Sequence, residues 1–284
     1  MSLAGFTVYQ TAKRNIMEYT QSNMPKLIET YLLLRRSLTD TRTQAERAHK
    51  TFRQIVDEFQ LTNRRILEIG AGSRGALLQM FDEKNDVIGI DKYLGAFYQG
   101  YWKALKTTLR KMIFDPFFYY HLKKCNGGYL NRNRKIILMD AMKMDFADEE
   151  FDFVYSRFVL EHIQDVKKLV EEIYRVLRQG GKTYHVFDLY TSLGGAHTLD
   201  WQRYEPWQHL TGHVDSSAYV NKYRLEHYKE AFECVFRREN VVIRTKMHQS
   251  WKKYLTPKLR KQLRAYSEEE LLTIAPVIIA KKAK

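Results

Sequence analysis

The sequence predicts an α/β fold, in which short buried strands alternate with helices. The first observation is an apolar run at residues 66–69 that enters a glycine-rich turn. The second is a set of short apolar runs, each followed or ended by a polar residue, at residues 86–91, 135–139 and 151–156. The third is the stretch 166–177, whose apolar positions recur at helical spacing and bury one face. Strands that alternate with such helical patterns are typical of the α/β class.

The glycine-rich turn at Gly70 and Gly72 predicts a ligand site. Glycine adopts backbone angles that are closed to other residues and leaves room where a side chain would collide, as the cradle of a nucleotide-like cofactor requires. We expect a helix after Gly75 whose N-terminus points at the ligand. The spacing also fits G-x-G-x-x-G, the dinucleotide fingerprint, which alone is weak evidence. A tight turn without a ligand is the plainer alternative.

Glu68 separates these interpretations. It lies two residues before Gly70, where a negative charge disfavours a pyrophosphate and favours a ligand with an ammonium group, such as S-adenosylmethionine. The segment resembles the first motif of the class I S-adenosylmethionine-dependent methyltransferases, which reads acid, any residue, glycine, any residue, glycine. The resemblance implies that Glu68, Gly70, Ala71 and Gly72 bind this cofactor.

The second apolar run ends in Asp91, about 20 residues after the glycines, the distance expected for ribose recognition. A carboxylate there can accept hydrogen bonds from both vicinal hydroxyls, and a role as a helix N-cap is the alternative. Lys92, the next residue, is also a candidate for cofactor binding, although its side chain is equally compatible with exposure to solvent.

The third and fourth apolar runs extend the resemblance. The third ends at Asp140 and Ala141, and in the resembling family the acid at this strand end contacts the adenine amino group. The fourth leads through Ser156 and Arg157 into residues 158–163, which look like the corresponding loop of the ubiquinone-biosynthesis-like, methyltransferase type 11 branch. All four positions are therefore cofactor-binding candidates.

The resemblance covers roughly residues 64–190 and implies a Rossmann-like, seven-stranded, mostly parallel sheet whose last strand is antiparallel. An edge position for Pro276 would fit that strand, because proline cannot donate to a central ladder. Gly180 and Gly181 are expected to end the helix before the fifth strand. The later strands are predicted at residues 182–187, 241–245 and 273–280, with helices at residues 221–236 and 251–266.

Two domain-level units are expected. Residues 1–63 form an N-terminal helical cap in successive segments, of which residues 6–19 help to close the active site. Residues 64–284 form the methyltransferase domain, with a basic aromatic insertion at residues 101–134 and a substrate-side excursion at residues 189–220.

Charge is concentrated in the insertion. The whole chain carries a formal charge of +14, and residues 101–135 hold nine Lys or Arg against one acid, Asp115. Aromatic residues bracketed by lysines suit an anionic membrane surface or a lipid-linked substrate. Packing of the aromatics onto the core is an equal alternative, and RNA is a less favoured partner because no RNA-binding module is visible.

Composition favours a cytoplasmic enzyme that associates at most peripherally with a membrane. No apolar run approaches the roughly 18 residues needed to span a bilayer, and a signal-peptide pattern is lacking. The two cysteines, Cys125 and Cys234, lack metal-ligand spacing and are expected to be reduced thiols.

Methyl transfer from a sulfonium needs a base only when the acceptor is a weak nucleophile. For a hydroxyl acceptor, the candidate catalytic residues are His162, His197 and Asp188. We expect O-methylation of a small molecule, a sugar or a lipid-linked acceptor, with the ring-rich excursion as the substrate wall. A metal on His209 and His213 is disfavoured because no third ligand is evident, so no metal is expected.

Three other functions stay open. They are an RNA methyltransferase, an NAD-dependent oxidoreductase and a non-catalytic binding or scaffold module. Glu68 disfavours the oxidoreductase, and the combination of Glu68, the two glycines and Asp91 disfavours the scaffold.

Overall fold

The computed structural model describes residues 26–92, 101–131, 133–197, 205–212, 214 and 219–284. These residues form a seven-stranded sheet with the strand order β3-β2-β1-β4-β5-β7-β6. The strands are β1 (Arg65–Ile69), β2 (Asp86–Asp91), β3 (Lys135–Leu138), β4 (Phe151–Arg157), β5 (Leu177–Val186), β6 (Val241–Met247) and β7 (Thr273–Lys281). The first five strands are parallel to one another, and β7 is antiparallel to both of its neighbours. The predicted Rossmann-like sheet with an antiparallel last strand is therefore confirmed.

Helices cover both faces of this sheet. In the described part of the chain they are α1 (Lys26–Phe59), α2 (Tyr101–Cys125), α3 (Val166–Val176), α4 (Gln208–Thr211), α5 (Leu225–Phe236), α6 (Pro257–Gln262) and α7 (Glu268–Leu272). Short 3-10 turns occur at Leu78–Met80, Leu160–His162, Arg238–Asn240 and Gln249–Tyr254. None of the helices within these ranges combines the length and the apolar content that a bilayer crossing requires.

Each face of the sheet has its own buried cluster. On one face, Phe52 and Ile55 of α1 and Phe118 and Leu122 of α2 pack against the sheet. On the other face, α3 and α5 supply the buried residues Leu169, Ile173, Phe232 and Phe236. The insertion therefore uses one side of α2 as core, as the packing alternative predicted, while the opposite side stays exposed.

Two sequence expectations about helices are corrected. A 3-10 turn at Leu78–Met80 takes the place of the α-helix expected after Gly75. Helix α3 ends at Val176, and the chain enters β5 directly at Leu177. Gly180, at φ +76°, therefore lies within β5 instead of capping the helix.

The ends of the chain differ in detail from the prediction. The cap is described from residue 26 as one continuous helix, α1, while residues 6–19, predicted to close the site, lie outside the described residues. The basic helix expected at residues 251–266 is divided between a 3-10 turn and α6.

Pro276 is not on an edge strand. It belongs to β7, which pairs with β5 on one side and with β6 on the other. The ladder with β6 is irregular between Arg244 and Lys246, where the register shifts. Proline is tolerated in a sheet at such an irregularity because the missing N–H breaks no regular pair.

Candidate cofactor and acceptor site

The turn after β1 is held by backbone hydrogen bonds and by close packing. The N–H groups of Gly70 and Ala71 both donate to the carbonyl of Ile90, at 2.8 and 3.1 Å. Gly70 has φ +74°, and a Cβ added there would collide with Cγ2 of Val159. Gly72 has φ +62°, and a Cβ there would meet nothing within 4 Å. Gly70 is thus needed for contact with the loop after β4, whereas Gly72 faces open space that a ligand could occupy.

Asp91 joins the end of β2 to this turn. Its Oδ2 accepts a hydrogen bond from the N–H of Gly72 at 2.9 Å, and the side chain is only partly buried. A carboxylate oxygen that accepts a backbone hydrogen bond and is still reached by solvent can also accept hydrogen bonds from hydroxyl groups. Asp91 therefore lies at the end of β2, beside the open space at Gly72.

Glu68 lies beneath the turn with 5% of its surface exposed. Burial raises the pKa of its carboxyl group to about 7, against lowering contributions from Tyr155 and Arg157. Its Oε2 has no hydrogen-bond partner among the described residues. A buried carboxylate oxygen without a partner is costly, and a cationic ligand nearby would offset that cost. The residue set thus fits a cofactor that carries an ammonium group.

Asp140 and Lys92 form an ion pair at the ends of β3 and β2. The Lys92 Nζ lies 2.8 Å from Asp140 Oδ2, and the N–H of Met142 donates to Oδ1 at 3.0 Å. Partial burial by itself raises the pKa of Asp140, but the hydrogen bonds from Lys92 and Met142 hold it below its usual value. Ala141, which follows, is buried. Asp140 is therefore an ionised acceptor at the carboxyl edge of the sheet.

Ser156 and Arg157 have different environments. The Ser156 side chain is fully buried, and its hydroxyl lies 2.7 Å from Nδ1 of His185. The Arg157 guanidinium lies over the ring of Phe158, 5.5 Å from its centroid. This placement leaves only the backbone of Ser156 for a ligand, because its side chain is committed to the core.

The three predicted catalytic residues lie together at the ends of β4 and β5. Nε2 of His197 lies 3.4 Å from Oδ2 of Asp188, and the rings of His162 and His197 meet edge to face with centroids 5.0 Å apart. The contact with Asp188 is the main cause that raises the pKa of the His197 imidazole, and burial of the ring acts in the opposite direction. The fold therefore gathers His162, His197 and Asp188 into one polar group, which we call the edge cluster.

Glu161 is a fourth member of the edge cluster that the sequence did not reveal. It is fully buried, and neither carboxylate oxygen has a hydrogen-bond partner in the described part of the chain. Burial raises the pKa of its carboxyl group to about 7. Ligand atoms of Glu161, His162 and His197 lie within 4.8 Å of one another. The only local signal was an acid next to a histidine after an apolar strand, which is too common to carry a prediction.

Asn221 fixes the loop that carries the edge cluster. Its side-chain amide donates to the carbonyls of Leu160 and Ile163, both at 2.8 Å, and its N–H donates to the carbonyl of Glu161 at 2.7 Å. The hydroxyl of Tyr228 in turn donates to Oδ1 of Asn221 at 2.6 Å. Asn221 thus acts as a positioning residue that sequence reasoning had placed only at the start of a helix.

The substrate-side excursion is partly structural. Trp207 is buried and its indole N–H donates to the carbonyl of Thr191 at 3.0 Å. His209 contacts the carbonyl of Tyr190 through Nε2 at 2.7 Å. His213, Trp201 and Tyr204 lie outside the described residues, so the predicted ring-rich wall is described only at its base.

The edge cluster and the glycine turn are neighbours. Val159, which packs on Gly70, is separated from Glu161 by one residue, and the N–H of Phe158 donates to the carbonyl of Val186 at 2.8 Å. Both groups therefore face the carboxyl edge of the sheet, where ligands bind in open α/β folds.

A glycine turn at the first strand, acids at the ends of the next two strands and this strand order are the features of the class I S-adenosylmethionine-dependent methyltransferase fold. In agreement, residues 120–185 match a family model described as a methyltransferase domain. The match confirms the resemblance for that segment.

Several curated proteins are similar to parts of the chain. Sterol 4-C-methyltransferase strm-1 of Caenorhabditis elegans is 44% identical over 67 residues, which is 24% of this chain and 20% of that protein. Human arsenite methyltransferase is 31% identical over 145 residues, or 49% and 34% of the two chains. Phosphatidylethanolamine N-methyltransferase of Cereibacter sphaeroides is 27% identical over 118 residues, or 42% and 47%. The chain spans less than half the length of these relatives.

Solved structures give fold-level matches. Phosphoethanolamine N-methyltransferase 2 of Haemonchus contortus aligns with a TM-score of 0.48 and 17% identity, over 83% of this chain and 53% of that one. The YcgJ protein of Bacillus subtilis aligns with a TM-score of 0.45 and 19% identity, over 83% and 99%.

Proposed function

We propose that the protein transfers a methyl group from S-adenosylmethionine to an oxygen atom of an acceptor molecule. The observation that carries this proposal is that the loop packed on Gly70 through Val159 also carries Glu161 and His162 of the edge cluster. A cofactor cradle therefore lies near groups that can hold a hydroxyl. Methyl transfer is an in-line displacement, so a large share of its catalysis comes from holding donor and acceptor close together and excluding water.

At the cofactor end, the chain offers three acids to three parts of the ligand. Glu68 is placed to receive the ammonium, Asp91 the ribose hydroxyls and Asp140 the adenine amino group. The bound cofactor would supply a methyl group on a positively charged sulfur. The backbone of Ala71 and Gly72 lines the same space, and Lys92, Ala141, Ser156 and Arg157 complete the proposed set around it.

At the acceptor end, the edge cluster is suited to a hydroxyl. An alcohol is a weak nucleophile whose proton must leave as the new bond forms, and this requires polar groups within hydrogen-bond reach. His162, His197 and Asp188, the candidates for this role, lie close to one another in the edge cluster. An amine acceptor would need less help, because a neutral amine is already nucleophilic.

The acceptor is proposed to be lipid-linked and presented at an anionic membrane surface. Large apolar side chains are exposed at helical spacing along α2, including Met112 at 70% and Tyr120 at 63%. The exposed stripe consists of Leu105, Leu109, Met112, Ile113, Phe117 and Tyr120. Lys123 and Lys124 follow at the end of the same helix. Apolar residues flanked by lysines match the chemistry of an anionic lipid surface.

Helix α2, which carries this stripe, also contacts the glycine turn through two side-chain pairs. Lys111 Nζ lies 2.5 Å from the hydroxyl of Ser73, and Arg74 pairs with Asp115 of α2 at 2.6 Å. A membrane bound by α2 would therefore lie next to the cofactor cradle. Two of the similar curated proteins are named for a sterol and a phospholipid, which supports a lipid class of acceptor.

The activity is tested by measuring formation of S-adenosylhomocysteine by mass spectrometry. The purified protein is supplied with S-adenosylmethionine and, in separate reactions, polyols, sugars and hydroxylated lipids in vesicles. We expect turnover with the lipid set, loss of turnover in Asp91→Ala and no change in Glu239→Gln, which alters an exposed residue. Cofactor binding without turnover on any acceptor class would favour the scaffold function.

Membrane association is tested by co-sedimentation with vesicles that contain phosphatidylserine. We expect binding that weakens as salt is raised and that falls at least tenfold in a Met112→Glu, Ile113→Glu double variant. Equal binding by the wild type and this variant would contradict the proposed surface. Binding to RNA instead of vesicles would favour the RNA methyltransferase alternative.

A further inference from the structure

We propose that Glu161, His162 and His197 bind a divalent transition-metal ion. The chain contributes one carboxylate and one imidazole from the 3-10 turn after β4 and a second imidazole from the loop after β5, and their ligand atoms lie within 4.8 Å of one another. This is the donor set that zinc and the other first-row divalent metals accept, whereas magnesium and calcium favour oxygen ligands. No metal is expected from the sequence, in which His209 and His213 are the only histidines at a metal-ligand spacing and lack an evident third ligand.

Glu161 supplies the strongest argument. A carboxylate that is completely removed from water normally has hydrogen bonds or a counterion, because an isolated buried charge is very costly. Both oxygens of Glu161 lack a hydrogen-bond partner among the described residues. The backbone carbonyl of Glu161 accepts a hydrogen bond from the N–H of Asn221, so the residue is fixed with its carboxylate close to the His162 and His197 rings. A metal ion would be that missing partner.

His162 is oriented as a metal-ligating histidine usually is. Nδ1 of His162 lies 2.6 Å from the carbonyl oxygen of Tyr219, which leaves Nε2 to bind an ion. Histidine ligands commonly donate their second ring N–H to a carbonyl or a carboxylate, which fixes the ring and raises its basicity. Asp188 lies beside His197 and is placed either to orient that ring or to provide a fourth ligand.

The role of the ion rests on the proposed function. Three protein ligands leave coordination positions open, as in catalytic metal sites, and an acceptor hydroxyl could take one. A divalent metal lowers the pKa of a bound hydroxyl and so generates a nucleophile near neutral pH. The hydroxyl proton leaves to water, the oxygen–carbon bond forms, and the carbon–sulfur bond breaks with its electron pair remaining on sulfur. No oxidant or reductant is required.

The test uses the full chain after treatment with a chelator and dialysis. Binding of zinc and manganese is measured by calorimetry, and binding of cobalt by its visible absorption, which reports the ligand geometry. We expect one equivalent to bind, and its affinity to fall at least tenfold in Glu161→Gln and in His197→Asn. His121→Asn, which alters a histidine on α2 outside the edge cluster, should bind as the wild type does.

Folding of each variant is checked by circular dichroism and thermal unfolding. If Glu161→Gln does not fold, Asp188→Asn serves as a second variant, with an expected change in the cobalt spectrum and a smaller loss of affinity. Absence of metal binding, or equal binding by the wild type and the folded variants, would overturn the proposal. Methyl transfer at an unchanged rate in chelated protein would contradict the role of the metal but leave the proposed methyltransferase function intact. Metal binding without turnover on any acceptor would contradict the proposed function but leave the metal site intact.

Discussion

The buried acid of the glycine turn leads to a quantitative prediction about stability. Folding raises the pKa of Glu68 from 4.5 to about 7, mainly through burial. One pKa unit corresponds to about 1.4 kcal/mol, so ionised Glu68 costs the folded chain about 3 kcal/mol relative to the unfolded one. Between these two pKa values the unfolded chain releases a proton that the folded chain keeps. The free energy of unfolding therefore falls as the pH rises through this window.

Replacement of Glu68 by Gln removes this titration while preserving the shape of the side chain. The variant is expected to gain about 3 kcal/mol relative to the wild type on going from about pH 4 to about pH 8. The assay is urea unfolding, followed by circular dichroism, at a series of pH values without cofactor. Glu239→Gln, at an exposed position, is the matched control and should follow the wild type.

The result that would refute this reasoning is a constant stability difference between Glu68→Gln and the wild type across the pH range. A second consequence concerns the cofactor, because a cationic ligand favours the ionised form of Glu68. Binding of S-adenosylmethionine below pH 7 should therefore release a proton, which calorimetry in buffers of different ionisation enthalpy detects. Glu68→Gln should bind without that release and with lower affinity, so that the more stable variant is the poorer binder.

Further predictions concern the turn and the adenine position. Gly70→Ala should lose about 2–4 kcal/mol in urea unfolding, because a positive φ and a collision with Val159 both act against it. Gly72→Ala, with no collision, should lose about 1–2 kcal/mol and still impair binding of the cofactor; equal losses in the two variants would contradict the packing argument. Asp140→Asn should change stability by less than about 1 kcal/mol, because its pair with Lys92 is exposed. Its affinity for S-adenosylmethionine should fall by about tenfold, and an unchanged affinity in a titration would place adenine elsewhere.

Much of the sheet could be predicted because its signals are local. Strands β1 to β4 are short, largely apolar runs that end near a polar residue, and the helix at residues 166–177 has a clear apolar face. The number of strands and the antiparallel β7 came from the resemblance, and the structure confirms both, together with the fold class. The order of the strands is known from the structure alone. Element ends were less accurate, since the two glycines after α3 looked like a cap but lie within β5.

The features that sequence reasoning missed depend on contacts between distant residues. Pro276 is tolerated inside the sheet because the ladder to β6 is irregular there, and no local pattern announces a register shift. Glu161 became a candidate only when the fold brought His197 to it across 36 positions of the chain. That the Glu161 carboxylate oxygens have no hydrogen-bond partner among the described residues is likewise visible only in the folded structure. Ser156 is the opposite case. It was a cofactor-binding candidate because it is a polar residue near a strand end, but its side chain is buried in the core.

Binding of S-adenosylmethionine by the glycine turn is measured by calorimetric titration. The wild type and Asp91→Ala are each titrated with S-adenosylmethionine, S-adenosylhomocysteine and NAD. Micromolar binding of both sulfur ligands by the wild type, lost in the variant together with its hydrogen bond to Gly72, is the predicted result. Binding of NAD alone, or binding of the sulfur ligands that Asp91→Ala leaves unchanged, would contradict it.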